Sequence, residues 1–243
     1  MTKYILFIVL TLSLLCSSAQ AQVDRAGIRN MARELIQDSN SDTSRQAWTN
    51  ARINAYIDIA HLDMVKKTAC LIGTTYYTLY TGTQTYNMPS DLLEVSRVSV
   101  WKSSNVYQAL TRYTLEGLDS WLPTWQQNAA GIPERYYTWG NVIGLVPAAN
   151  SAYSGANRLR VDYLIRPSTF TSDSDLPFNG YYHLYPYHYI IAYKVAALCK
   201  FRERAYGEST TFENQYLNML RVMIDEINRK AGYFPKFQMD VTR

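Results

Sequence analysis

The sequence predicts an α+β protein: a helical bundle formed by the N- and C-terminal helices, with an antiparallel β-sandwich-like region inserted between them. Three observations predict it. Apolar residues recur at helical spacing near both chain ends. Between those stretches the pattern changes to short alternating runs bounded by Gly and Pro, as in Asn141 to Val146 and Leu159 to Ile165, the signature of half-buried antiparallel strands. Helices from the two ends can bury their stripes only against each other, which makes the β region an insertion in a helical bundle.

Taken in order, residues 1–21 are a leader. Lys3 precedes the apolar run Ile5 to Leu15, and Ala19-Gln20-Ala21 follows as a cleavage-site pattern. The run is shorter than the roughly 20 residues a membrane span needs. A secretory signal and an apolar N-terminal helix (or an over-extended start) are both readings of it. Residues 22–73 hold the N-terminal helices. Ile28, Met31 and Leu35 mark a short first helix that ends near Gln37, and Asp38 to Thr43 is a polar linker. Thr43-x-x-Gln46 is a capping box opening a second helix. That helix carries Trp48, Ala51, Ala55, Ile59 and Leu62 on one face, with Ile53, Tyr56, Ala60 and Met64 beside them, and Gly73 ends it. So wide an apolar stripe predicts burial on more than one side.

Residues 74–178 form the inserted β domain of about five or six strands. Thr74 to Tyr80 is rich in Thr and Tyr, Gly82 turns the chain, and Thr83 to Met88 returns. Leu93 to Trp101 alternates, Thr114 to Trp121 is one or two helical turns, and the two runs named above complete the set. Residues 179–231 hold the C-terminal helices. Pro186 suits the first turn of a helix over Tyr187 to Tyr206, apolar nearly all round and therefore central, with Gly207 as its stop. Thr210-x-x-Glu213 caps a last helix whose face is Phe212, Tyr216, Met219, Leu220, Met223 and Ile227. Residues 232–243 are an extended tail.

Composition sets the bounds. The chain has 243 residues, 47% hydrophobic and 18% charged, which predicts a folded globular protein. A net charge of +4 and a pI near 8.8 are too mild to indicate nucleic-acid binding by themselves. Twenty-one tyrosines suit interfaces and half-buried β faces equally. Cys70 and Cys199 sit in apolar helical surroundings, as two buried thiols or, in an exported chain, one bridge.

Catalytic signatures are few. His61 lies on a core-rich helix, and His183 and His188 are five apart with Pro186 between them, a spacing that cannot present both as metal ligands on one helical face. Asp173 and Asp175 form a carboxylate pair of the kind used in glycoside hydrolysis or calcium binding, although Asp beside Pro more commonly serves turns and caps. There is no HExxH, Gly-x-Ser-x-Gly or phosphate-loop motif. The mixed-sign cluster Lys200, Arg202, Glu203 and Arg204 reads as a solvated helix face. No catalytic, cofactor or metal residue is assigned. Trp101, Trp121, Trp125 and Trp139 all fall in the β region. With the leader, they support an alternative: an exported sugar- or surface-binding β-domain protein.

A longer ordered pattern decides between these. It runs over residues 44–230 through Trp48 and Tyr56-Ile57, then Tyr86-x-x-Pro89-x-Asp91, then Gly131-x-Pro133-x-x-Tyr136-x-x-x-Gly140-x-x-Ile143-x-Leu145-x-Pro147. Val161-x-Tyr163 with Pro167, Asp175-x-Pro177 and Tyr216 complete it. In this order and spacing the chain resembles the head-to-tail adaptor (connector) proteins of tailed bacteriophages. The leader departs from that family. The resemblance implies a structural virion protein with no active site and no cofactor. It implies a ring of this chain, commonly twelve-fold, docked beneath the portal of the filled head. A downstream tail protein would attach below, and genomic DNA would pass through the channel. It implies assembly in the host cytoplasm, where a working signal at residues 1–21 would instead lead to the periplasm or outside. It also implies that Tyr233, Phe234, Pro235, Lys236 and Phe237 reach the portal, since their apolar groups are costly to leave exposed.

Overall fold

The computed structural model describes residues 22–39, 46–103 and 106–231. The leader at 1–21, Thr43 of the expected capping box and the tail residues Tyr233 to Phe237 lie outside the described residues. Two compact units appear: a helical unit built from the chain up to Thr68 and from Ser168 onward, and a β unit over Ala69–Pro167. The divisions therefore fall at 68/69 and 167/168, not at 73/74 and 178/179. Residues 168–178 join the helices because Asp173 and Asp175 are tied to the first helix through their backbone carbonyls. The Ala26 and Arg25 N–H groups donate to them at 3.0 and 2.9 Å.

The helical unit contains α1 (Arg25–Ile36), α2 (Asn50–Thr68), α4 (Ile190–Arg202) and α5 (Tyr206–Ala231). The Asp24 carboxylate caps α1 by accepting the Gly27 N–H at 2.7 Å, and Gln37 closes it in the left-handed region at φ 62. Its buried row is Ile28, Ala32 and Ile36, one position round from the expected Met31 and Leu35. α4 is central, as its apolar composition predicts, and packs on α1, α2 and α5. Tyr216, Leu220, Met223 and Ile224 are the buried row of α5. A polar brace joins three helices: Lys194 donates to Glu213 at 2.7 and 2.8 Å, Tyr216 Oη donates to Asp63 at 2.9 Å, and Lys67 pairs with Asp63.

Several helix ends differ from expectation. α2 begins at Asn50, where the Arg52 N–H meets Thr49 Oγ1 at 3.3 Å, so Trp48 precedes the helix. It stops at Thr68, because Ala69 at φ 48 leaves the helical region, and Gly73 lies within a strand. Cys70 is therefore outside any helix. The core face of α2 is Ile53, Ile57, Ala60, His61, Met64 and Val65, while Ala51, Ala55 and Ile59 face outward. Pro186 sits in a 3-10 turn (Tyr182–Tyr187) ahead of α4, and Gly207 lies in the first turn of α5. Thr210 is inside α5 rather than capping it. The hydroxyls of Thr210 and Thr211 donate back to the Tyr206 and Gly207 carbonyls at 2.9 and 3.0 Å.

Among the described residues the β unit has eight strands: β1 (Ile72–Leu79), β2 (Thr85–Asn87), β3 (Leu92–Ser103), β4 (Val106–Ala109), β5 (Thr111–Arg112), β6 (Arg135–Trp139), β7 (Val142–Val146) and β8 (Gly155–Ile165). They form two sheets, ordered β1-β8-β3-β4 and β2-β7-β6-β5. All strand pairs are antiparallel except the two-residue β5–β6 pair. Val98, Val100, Leu159 and Val161 from one sheet share a core with Tyr86, Tyr136, Ile143 and Leu145 from the other. β1 and β2 are not the hairpin that the turn at Gly82 suggests. The Gly82 N–H donates to the Ala149 carbonyl at 2.9 Å, and the chain crosses to the second sheet. Likewise β7 and β8 belong to different sheets. α3 (Leu115–Trp121), capped by Thr114 on the Gly117 N–H, brings Leu118 over the outer face of the second sheet. There it packs with Trp125, Tyr137 and Val146. β7 is therefore covered on both sides, and Gly144 is what lets Tyr137 lie flat: a Cβ there would stand 2.0 Å from its ring.

Candidate functional surfaces

Of the residues singled out for chemistry, His61, His188, Asp173 and Asp175 are packed or bonded into the helical unit. His61 is buried with Nε2 unpartnered, its ring 5.1 Å from Phe170 and 4.7 Å from Phe178. Burial, then the neighbouring His188, lowers its pKa to about 3. His188 is fully buried, its Nδ1 donating to the Val23 carbonyl at 2.8 Å, and burial lowers its pKa as well. A base must reach its substrate, and neither imidazole does. His183 is exposed against Tyr181 and apart from both.

Asp173 receives both terminal nitrogens of Arg29 at 2.8 and 2.7 Å, and that guanidinium holds its pKa below the usual carboxylate range. Asp175 accepts the Ser172 and Thr171 N–H groups at 2.8 and 2.7 Å and the Thr171 hydroxyl at 3.1 Å, which lowers its pKa too. The Asp173 carboxylate is committed to Arg29 of α1 and that of Asp175 to its own loop, so the pair does not frame a reacting bond. Among the described residues no group of three or more His, Cys, Asp or Glu is placed to hold a metal ion. Cys70 and Cys199 are both buried, and burial pushes the Cys199 thiol up to about 12.

The sequence pattern missed the strongest ties of the helical unit. Arg33 is buried and donates to Asp38 at 2.6 Å, to the Trp48 carbonyl at 2.6 Å and to Asn50 Oδ1 at 2.8 Å. Asp38 in turn accepts the Ala47 and Trp48 N–H groups at 2.7 and 3.1 Å. An Arg on a short amphipathic helix ahead of a polar linker gives no signal that distinguishes it from a solvated one.

The tryptophans divide. Trp125 is buried and donates Nε1 to Asp119 at 2.7 Å. The faces of Trp101 and Trp121 are stacked by the Arg158 and Arg135 guanidiniums at 3.8 and 3.9 Å. Trp139 is exposed.

What stays open to partners is apolar surface. On the helical unit this is the outward row Ala51, Ala55 and Ile59 of α2, with Phe201, Tyr206 and Val222 on α4 and α5. On the β unit, Tyr76, Tyr80, Val106, Trp121, Ile132 and Trp139 are exposed. No helix among the described residues is long and apolar enough to cross a membrane.

Comparison with known proteins agrees with a contact-making role. No curated protein matches the chain. Among solved structures, a chain described as the neck of an empty GTA particle computed with C6 symmetry is similar at 13% identity. The similarity covers 72% of this chain and 79% of that one, with a TM-score of 0.27, too low a likeness to argue from. Residues 24–235 match the family model described as SU10 adaptor protein, which takes in both helical segments and the whole β insertion. The chain belongs to the SU10 adaptor protein family, a family of phage head-to-tail connectors.

Proposed function

We propose that the chain works as a ring of identical subunits seated beneath the portal, joining the DNA-filled head to the tail as a structural component of the virion and not as an enzyme. The family match over residues 24–235 carries this reading. The outward row Ala51, Ala55 and Ile59 supports it, because small and aliphatic residues at helical spacing let a neighbouring helix approach closely. The helical unit is accordingly the lateral subunit contact, and the β unit meets neighbours or the tail. Twelve subunits enclose a channel through which the genome slides. A net charge of only +4 per subunit suits weak, non-sequence-specific contact with phosphates. Tyr233 to Phe237 dock on the portal. Electron microscopy of the full chain mixed with its portal tests this: rings capping the portal are expected, and a monomer with no portal affinity would overturn it. Truncation after residue 231 is expected to abolish portal capture while leaving both folded units intact.

A further inference from the structure

We infer that the corner between α4 and α5 is a binding groove for an acidic peptide segment that inserts one large apolar side chain, supplied by a protein other than this chain. Only Glu203, Arg204 and Ala205 separate the two helices, and Arg204 turns the chain in the left-handed region at φ 64. This sharp reversal sets Phe201 and Tyr206 edge to face at 5.5 Å, with 62% and 57% of their surfaces still exposed. Together with Tyr56, Leu198, Arg202 and Arg204 they line a groove of about 310 Å³. Exposed aromatics gathered around a concavity, with arginines beside them, are the composition of interface hot spots.

Charge selects the partner. The acids at this corner are already engaged. Glu203 accepts the Trp48 Nε1–H at 2.7 Å and pairs with Lys200 at 3.3 Å, and Glu208 pairs with the same lysine at 3.0 Å. Arg202 and Arg204 on the rim have no ion-pair partner among the described residues. Neither does Arg52, one helical turn before Tyr56, which leans over the Trp48 ring at 5.8 Å. Counting Lys200, Arg52, Arg202 and Arg204 against Glu203 and Glu208, the corner keeps an excess of two positive charges. Guanidiniums clamp carboxylates with two parallel hydrogen bonds, while the Leu198, Phe201 and Tyr206 walls favour an aliphatic or aromatic anchor. A nucleic-acid strand calls for a basic track along its backbone, and this site is one short groove. The inference does not depend on ring formation.

The test selects random peptides of about 15 residues, displayed on particles, against the immobilised full chain. Acidic residues bracketing a Leu, Phe or Trp are expected in the selected peptides. Their affinity should weaken with salt and fall about tenfold or more in Arg202→Glu/Arg204→Glu and in Phe201→Ser. Trp139→Ser, on the exposed surface of the β unit, should leave it unchanged. All four substitutions fall on exposed side chains, and circular dichroism checks that the three variants fold. The proposal is overturned if no peptide is selected, if selected peptides lack acids, or if the groove variants bind them as the parent does. A single-stranded oligonucleotide that displaces them would make the groove a nucleic-acid site. Self-association of the parent chain that Phe201→Ser abolishes would make its occupant a second copy.

Discussion

The two units hold themselves together by different chemistry. The β unit depends on an apolar core between its two sheets and a smaller one beneath α3, with Arg135 and Arg158 stacked on tryptophan at its surface. The helical unit buries charge and imidazole among its helices: Arg33 with Asp38, Arg29 with Asp173, and two neutral histidines beside Phe178. A sheet sandwich hides its backbone polar groups in its own ladders, whereas short helices joined by polar segments need side chains to fix the segments to the bundle. The helical unit should therefore be sensitive to the loss of single polar partners and to acid, and the β unit to volume.

The largest effect expected is that of Arg33→Leu. It strands Asp38 and the Trp48 carbonyl, and removing one partner of a buried pair costs about 3–5 kcal/mol. Hydrogen exchange should show the helical unit opening while protection of β7 and β8 is unchanged. Gly144→Ala is the counterpart. The added methyl collides with the Tyr137 ring, and overpacking costs about 1–3 kcal/mol. Protection should fall in the β unit and not in α4.

Acid sharpens the contrast further. All three histidines lie in the helical unit. His61 binds its proton more weakly folded than unfolded, so its contribution is whole above pH 6.5 and lost as pH falls from there towards 3. Between pH 6.5 and 5.5 this is about 1 kcal/mol, with His188 acting in the same direction. Thermal unfolding of the helical unit should move with pH over that range, and His61→Phe should flatten the dependence. Alkali acts on the β unit too. Burial raises the pKa of Tyr77, Tyr86, Tyr136 and Tyr137, so their contribution is whole below pH 10 and lost above it.

The smallest effect on folding, and the most telling for assembly, is Ile59→Asp. It lies on the outward row of α2, so stability should change by less than about 0.5 kcal/mol. Light scattering should show ring formation lost all the same. Ile57→Asp, two residues away in the core, should unfold the helical unit instead.

That pair of isoleucines shows how far the pattern of residues could be read. The stripe Ala51, Ala55, Ile59 and Leu62 has the periodicity of a core face, and so does Ile53, Tyr56, Ala60 and Met64. Periodicity reports that a face is apolar and is silent on what covers it. The central helix, the buried face of α5, the strand positions around Ile143 and Val161 and the ordered Gly–Pro pattern were all legible, because each rests on contacts close in sequence or on turn chemistry. The capping box at Thr210 misled, since a Ser/Thr-x-x-Glu/Gln spacing also occurs inside a helix that starts earlier, and α2 begins only at Asn50. At the candidate surfaces, Arg202 and Arg204 were visible only within a mixed charge run, and Phe201 carried no signal of its own.

By itself the sequence determined the class of the protein: helices at both ends, a β insertion, no catalytic motif, and the spacing of prolines and glycines that marks an adaptor. Tertiary structure alone decided which sheet each strand joins, which face of α2 remains open, and which arginines find carboxylates. These depend on groups far apart in the chain meeting at a few ångströms, and local pattern carries no information about such meetings.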